Sequence, residues 1–426
     1  MGVWTYIRTN CKRMALLVPT AVWTLYVVMT GQQVVMPFGG ELRSQRGAYL
    51  TLVAGCGLLL GYLLWVSLRA DRKKLPPSRI FLLLFIPLSL AMMLVLPLGQ
   101  VPDESRHFQR IWTISQGNLL HEPHEIASGP SYLSQAGNSN SLTATWRAFT
   151  HPSTGEMAVA FESNTAIYPI TGYLPQAIAL RLASLLTSNP VVLLFAARLG
   201  AWLTTTVLLW YAIRIIPEGK TLLLAVTLLP MALQECIGAG ADGLIFSAAM
   251  ALLALVLSLR RQPRALRRRE KILLTVLVAA VATVKLLYFP LVALVCFLPQ
   301  ACFGGRKQRK CWVAALLSMA FALVLLWGLW CLCKIFLVGA DPHAAQVLPA
   351  AKSTMGNPLT FLWLMVKAIG DQWIAQYPYE LAGQYMAWLQ YTTPVYGVVP
   401  VMMAFAFVWK GDHPLPASES RSLKLG

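Results

Sequence analysis

Charge is scarce in this 426-residue chain: Asp, Glu, Lys and Arg make up 12% of it, and 17 acids face 35 basic residues. With 57% of residues apolar, that scarcity excludes an ordinary soluble domain and points to repeated membrane-spanning helices. Cysteine is equally uninformative as a framework. Cys11, Cys56, Cys236, Cys296, Cys302, Cys311, Cys331 and Cys333 all lie in or beside apolar runs, and none falls between Gln100 and Val191. A disulfide scaffold and a cysteine-ligated zinc site are both excluded by that placement. The chain also lacks the Gly-x4-Gly-Lys-Ser/Thr phosphate loop and the Gly-x-Ser-x-Gly nucleophile elbow. Nucleotide-driven chemistry and serine hydrolysis therefore have no support.

What is present is a series of apolar runs separated by short basic clusters. In a soluble protein an excess of Lys and Arg raises the question of nucleic acid; here it reports topology. Arg8, Lys12 and Arg13 precede a first run, Met14 to Thr30, which has no cleavage site and reads as a start-transfer anchor. Further runs follow at Ala48 to Leu68 and Ile80 to Gln100, with Arg72, Lys73, Lys74 and Arg79 between them. Later spans are expected over Val191 to Ile216, Thr221 to Ile237, Leu244 to Leu259, Cys311 to Val338 and Tyr391 to Trp409. Between Lys271 and Phe303 there are too many apolar residues for one span and barely enough for two. We read two short helices there, with Lys285, Tyr288 and Pro290 near their outer turn.

The clusters Arg260–Lys271 and Arg306–Lys310 are the strongest inside signals. The expected fold is thus all-α, a polytopic membrane helical bundle of about ten spans with both termini cytoplasmic. External regions are expected over 101–190 and 339–390, the second holding a short apolar helix. Ala166 to Leu186, broken by Pro169, Gly172 and Pro175, suits a helix lying in the outer interface rather than a crossing. Ser128 to Thr145 reads as an exposed loop. The domain division is 1–79 (two spans and a basic loop), 80–410 (the main membrane domain) and 411–426 (a polar tail).

The longest polar region opens with Val101-Pro-Asp103-Glu104-Ser-Arg-His107-Phe-Gln-Arg110. Proline ahead of the acids suits the first turn of a new helix, on which Asp103, His107 and Arg110 share one face. Charge at a membrane edge commonly means only that the chain has reached water. A set able to take a proton, bind a metal or hold a phosphate is more than that reading needs. Arg198, Asp242 and Lys285 map to the same outer rim, where an ionisable residue is expected to face the bundle interior. Each has a plainer explanation: Asp242 as a helix cap, Lys285 snorkelling to the interface, Arg198 neutralising a nearby acid.

Taken together the cations Arg110, Arg198 and Lys285 suit a lipid phosphate. Asp103 or Glu104 suits a general base or the ligand of a divalent cation, with His107, Asp242 and Tyr288 in support. His121 and His124, with Glu122 and Glu125, are a looser alternative for a divalent ion. His107, His121, His124, His151 and His343 all fall outside the membrane on this topology, and as solvated loop residues most need no further role.

Four ordered segments resemble the bacterial membrane family catalogued as domain of unknown function 2142. They are Val101-Pro-Asp-Glu-Ser-Arg-His-Phe108, Tyr168-Pro-Ile-Thr-Gly-Tyr-Leu-Pro175, Leu229-Pro-Met with Gly240-Ala-Asp-Gly243, and Lys285-Leu-Leu-Tyr-Phe-Pro290. The resemblance runs over roughly residues 80 to 410. That family is similar in layout to the GT-C membrane glycosyltransferases, which implies a catalytic or metal-binding place for Asp103 or Glu104. The chain departs from the family by ending in a polar tail, where members run on past Thr392-Thr-Pro394 through further spans.

The function expected from residues and resemblance is transfer of a sugar from a polyprenyl-phosphate donor to an envelope glycan or lipid. Its place is the outer face of the bacterial cytoplasmic membrane, with membrane lipids and the lipid-linked sugar as partners and no nucleic acid. A transporter or flippase of a lipid-linked glycan or anion is the alternative, as is a non-enzymatic role in envelope assembly. Transport predicts charge through the full depth of the bundle, whereas here it gathers at one rim.

Overall fold

The computed structural model describes residues 73–119 and 168–338 with small gaps, residues 357–368, and isolated positions around 58–69 and 145–150. The spans expected at 14–30 and 391–409, almost all of that at 48–68, the loop from Ser128, the residues His121, Glu122, His124, Glu125, His151 and His343, and the 411–426 tail lie outside the described residues. Among the described residues every regular element is helical.

The first helix, α1 (Pro77–Val95), starts at a proline and ends at Leu96 in an extended conformation. A short turn leads to α2 (Glu104–Ser115), then a 3-10 turn (Ile170–Gly172) and α3 (Leu174–Ser184). At eleven residues α3 is only about 16 Å long, too short to cross a bilayer. It leaves Ile178, Leu182, Leu185 and Leu186 exposed along one side, as an interfacial helix does.

The centre of the bundle is α4 (Pro190–Ile215). Its start is fixed by Asn189, whose side chain accepts from the N–H groups of Val191 and Val192 at 3.0 and 3.4 Å, and by Pro190 in the first turn. It packs most extensively on α3 and on α7 (Asp242–Arg261), and also against α1. The approach to α3 requires Gly200: a Cβ there would sit 2.5 Å from the Pro175 carbonyl oxygen. The shared core is built from Phe81, Phe85, Leu209, Ile213, Ile245, Leu252 and Val278 among others, all fully or nearly fully buried.

Where one span was expected over Thr221 to Ile237, the chain forms two helices, α5 (Lys220–Thr227) and α6 (Pro230–Ile237), bent by 70°. Pro230 is the cause. It cannot donate to the preceding turn, and it drives Leu229 into an extended conformation (φ −60°, ψ 141°) that no α-helix can contain.

The ambiguous stretch after the basic loop resolves into α8 (Arg268–Thr283) and a long 3-10 helix (Leu286–Phe297), with Lys285 at the apex between them. A 3-10 helix rises about 2.0 Å per residue against 1.5 Å in an α-helix, so twelve residues of one and sixteen of the other both reach about 24 Å. The hairpin closes with equal arms. Its open end is tied together: Leu266 donates to the Cys302 carbonyl at 3.1 Å, and Arg309 Nε to that of Leu298 at 2.7 Å. A further 3-10 turn (Gln300–Cys302) leads to α9 (Arg306–Val338), and α10 (Pro358–Ala368) is the short apolar helix expected in the second external region.

Among the described residues four helices, α1, α4, α7 and α9, are long and apolar enough to cross a membrane, and the α5–α6 pair adds a broken fifth. The arms of the hairpin fall short by length.

Candidate functional site

Four stretches far apart in the chain meet beside α2. His107 Nδ1 lies 2.8 Å from the Tyr173 hydroxyl, just after the 3-10 turn. On another side the imidazole faces the turn before α7: a Cβ on Gly240 would lie 3.4 Å from His107 Cδ2. Gln176 Nε2 donates to the carbonyls of Gly172 and Gly240 at 3.2 and 3.0 Å, stitching the two turns together. Gly172 itself has no room for a side chain, since a Cβ would come within 3.0 Å of Ala241 Cβ and 3.2 Å of Val284 Cγ1. Thr171 and Thr283 share a hydroxyl hydrogen bond at 2.8 Å, and Lys285 closes the ring through an ion pair with Asp242.

Glu104 sits at the first turn of α2, 1% exposed, opposite the equally buried Arg198 of α4. Arg198 Nε donates to Oε1 at 2.7 Å and Nη2 to Oε2 at 2.6 Å. The N–H of Gly99 reaches Oε2 at 3.1 Å and that of Ala239 reaches Oε1 at 3.4 Å. Two donors on each oxygen fill a carboxylate's acceptor capacity. Arg198 also caps the end of α1 through Nη1, donating to the Leu96 carbonyl at 3.0 Å. The pairing thus occupies both the side chain offered as a catalytic or metal-binding carboxylate, Glu104, and the one offered as a phosphate ligand, Arg198.

Asp103 contrasts with its neighbour. It is exposed, and its backbone lies in the left-handed region (φ 54°), which an L-residue other than Asn, Asp or Gly adopts with strain. Its side chain makes no capping bond to α2. It is the carboxylate of the pair left facing outward.

His107 is 7% exposed, and burial holds its imidazole below the ordinary value of 6.5 while Asp242 pulls upward and Lys285 downward. Burial raises the Tyr173 phenol, which stays protonated. A buried phenol needs an acceptor, so its O–H donates to Nδ1 and the neutral imidazole carries its proton on Nε2, toward the Gly240 turn.

Asp242 does not cap α7, the role sequence offers most simply; it is that helix's first residue and accepts from Lys285 Nζ instead. The pair is about one-third exposed on both sides, so it borders the site rather than lying beneath it. Tyr288 donates its N–H to the Lys285 carbonyl at 3.0 Å, fixing the first 3-10 turn, and its ring packs on the core.

Arg110 is 1% exposed and faces no carboxylate among the described residues. Nη2 donates to the carbonyls of Leu119 and Tyr168 at 3.2 and 3.4 Å. Nε and Nη1 have no partner among the described residues.

No three His, Cys, Asp or Glu side chains gather among the described residues. With Glu104 saturated, the donors among the described residues do not build a divalent-cation cage around Asp103. Tyr173, Gln176 and Glu235 were not legible as site residues. Tyr173 lies within the Tyr168–Pro175 segment, where nothing in the sequence gives it a role. For Glu235, within electrostatic range of Asp242, Lys285 and Glu104, the signal that could have found it is that it is the one acid in an apolar run.

Curated proteins and solved structures yield no match to the chain. A family model does match, over residues 84–411, and that range takes in all four of the stretches that meet beside α2. The chain accordingly belongs to the membrane-protein family described as Predicted membrane protein (DUF2142).

Proposed function

We propose that this protein transfers a sugar from a polyprenyl-phosphate carrier to an envelope acceptor at the outer face of the bacterial cytoplasmic membrane. The observation that carries the reading is the separation of roles between Asp103 and Glu104. One carboxylate is sealed in the fold, and the other is exposed beside His107 and near the Asp242–Lys285 pair, itself about one-third exposed.

The chemistry asks for a base and a cation at a membrane rim. Asp103 takes the proton of an acceptor hydroxyl. The acceptor oxygen bonds to the anomeric carbon as that carbon's bond to the phosphate oxygen breaks. The leaving polyprenyl phosphate keeps the electron pair, and Lys285 balances its charge. His107, neutral and held by Tyr173, donates through Nε2 to a substrate oxygen near the Gly240 turn.

The test is genetic. Deletion of the gene should alter envelope polysaccharide, wild type should restore it, and Asp103→Asn at matched membrane abundance should not. Full rescue by Asp103→Asn would sink the carboxylate mechanism. The bend between α5 and α6 favours a second reading, transport of a lipid-linked glycan or anion, because broken helices frame substrate sites in many transporters. Unchanged glycan with altered carrier distribution across the membrane would point there.

A further inference from the structure

The end of the bundle opposite Lys285 is strongly basic. Residues 260–271 and 306–310 hold eleven Lys and Arg and a single acid, Glu270. Tertiary contacts gather them: Leu266 donates to the Cys302 carbonyl, Arg309 to that of Leu298, and α8 packs along α9, so the two segments lie side by side. Some of this charge is spent within the protein. Arg264 pairs with Glu270, Arg309 holds the Cys296 and Leu298 carbonyls, and Arg260 and Lys271 lie over the rings of Phe297 and Trp312 at 5.5 and 5.2 Å. Arg268, Arg269, Arg306, Lys307 and Lys310 are left exposed, with no acidic partner among the described residues.

The fold does not explain those five. Four of them stand in the first turn of α8 or α9, the positive end of a helix dipole, where a cation is unfavourable. Membrane orientation does not explain their placement either, since it asks for Lys and Arg somewhere in a loop and not for two loops drawn together. Beneath them the surface turns apolar. Arg268, Ile272 and Val276 recur every four residues along one face of α8, and the last two are 56% and 57% exposed. A cation above an uncovered apolar stripe matches a phospholipid, whose phosphate sits above its acyl chains.

We propose that this end of the bundle is a binding surface for anionic phospholipid, with Arg268, Arg269, Arg306, Lys307 and Lys310 holding the headgroup phosphates. Each cation at headgroup level strengthens attachment to anionic lipid about fivefold, and salt at physiological strength screens that attraction over about 8 Å. The surface stands apart from the transferase reading and needs none of it.

The test counts lipids on the purified full chain in detergent by native mass spectrometry. The probes are dioleoyl phosphatidylglycerol, neutral dioleoyl phosphatidylcholine and water-soluble glycerol 3-phosphate. Wild type should bind phosphatidylglycerol at least tenfold more tightly than phosphatidylcholine, and less tightly as ammonium acetate is raised. Arg269→Gln with Lys307→Gln should weaken that binding at least tenfold, while unfolding no earlier than wild type when no lipid is present. Arg269→Lys with Lys307→Arg keeps the charge and should bind as wild type does. Lys73→Gln with Lys74→Gln removes as much charge from another exposed basic cluster, and should leave the binding intact.

Equal binding of the two phospholipids by wild type overturns the surface, as does undiminished phosphatidylglycerol binding by Arg269→Gln with Lys307→Gln. An equal loss in Lys73→Gln with Lys74→Gln also overturns it, because net charge and not this surface would then attract the lipid. Glycerol 3-phosphate binding as tightly as the lipid would overturn the choice of a membrane ligand. Earlier unfolding of Arg269→Gln with Lys307→Gln without lipid would make the cations part of the fold and sink the proposal.

Discussion

Asp103 and Glu104 are adjacent, chemically alike and differently placed, so substituting them separates fold from function. Glu104→Gln leaves Arg198 charged and buried with half its fork unmatched. Breaking a buried pair from one side costs about 3–5 kcal/mol, so this variant should melt well below wild type and accumulate poorly. Arg198→Met combined with Glu104→Met should recover much of that loss, measured by the same unfolding curve. Asp103→Asn should unfold within about 0.5 kcal/mol of wild type, since asparagine tolerates the left-handed backbone and the side chain caps nothing. Sequence alone offered the two acids as equals. What divides them is which one faces α4, a property of helix rotation and of a neighbour found 94 positions away.

Glu270 supplies a pH handle at the opposite, basic end of the bundle. It accepts from Arg264 and from the Arg267 N–H, and the Arg264 hydrogen bond leads in holding its carboxyl down at about 2, against an ordinary 4.5. A depressed acid stabilises the fold above its unfolded value and loses that contribution as pH falls toward its folded value. Wild type should therefore lose stability between about pH 4.5 and 2 more steeply than Glu270→Gln, by acid titration of the melting temperature. The pair is partly exposed, so the difference should shrink in high salt.

At the level of elements, Gly243, like Gly200, marks where helices touch. A Cβ at Gly243 would fall 2.3 Å from the Glu235 carbonyl oxygen and 2.8 Å from Cys236 Cα, both backbone atoms that cannot swing aside. Gly243→Ala should part α6 from α7, carry Asp242 away from Lys285, and lower stability by about 1–3 kcal/mol, measured by unfolding in detergent. Most helices were legible because their apolar runs are long and bounded by Pro, Asn or Arg, as at Asn189-Pro190 and Arg260-Arg261. The broken α5–α6 pair was less so. Pro230 was visible, but hydropathy weighs composition and is blind to a 70° bend. The 3-10 helix was not legible, since no side-chain pattern distinguishes it from a short α-helix; the count of residues between two basic clusters gave two short helices and nothing of their pitch.

For the whole molecule, the expectation to test is which end faces out. A membrane-impermeant maleimide applied to intact cells should label Asp103→Cys, which is exposed, and leave Arg264→Cys untouched until the membrane is opened. Labelling in the reverse order would put the candidate site in the cytoplasm and end the proposal of a lipid-linked donor outside. That His107, Asp242 and Lys285 come together agrees with their being read at one end of the bundle. The pairs Asp242–Lys285 and Glu104–Arg198 were not legible, because partners 43 and 94 residues apart are chosen by packing that one sequence does not display.

The equal arms beneath Lys285 carry a consequence for the lipid itself. Set across a hydrocarbon layer of about 30 Å, a hairpin of about 24 Å anchored at its basic end would stop short of the far boundary. Acyl-chain length then becomes a setting on the site: in thin membranes the apex meets headgroups, and in thick ones it sinks among chains. A spin label at Leu287→Cys, a position 86% exposed beside the apex, should report shallower immersion as oleoyl lipids give way to myristoyl ones. A membrane that thickens with sterols or hopanoids would in this way govern how readily a charged headgroup reaches Lys285.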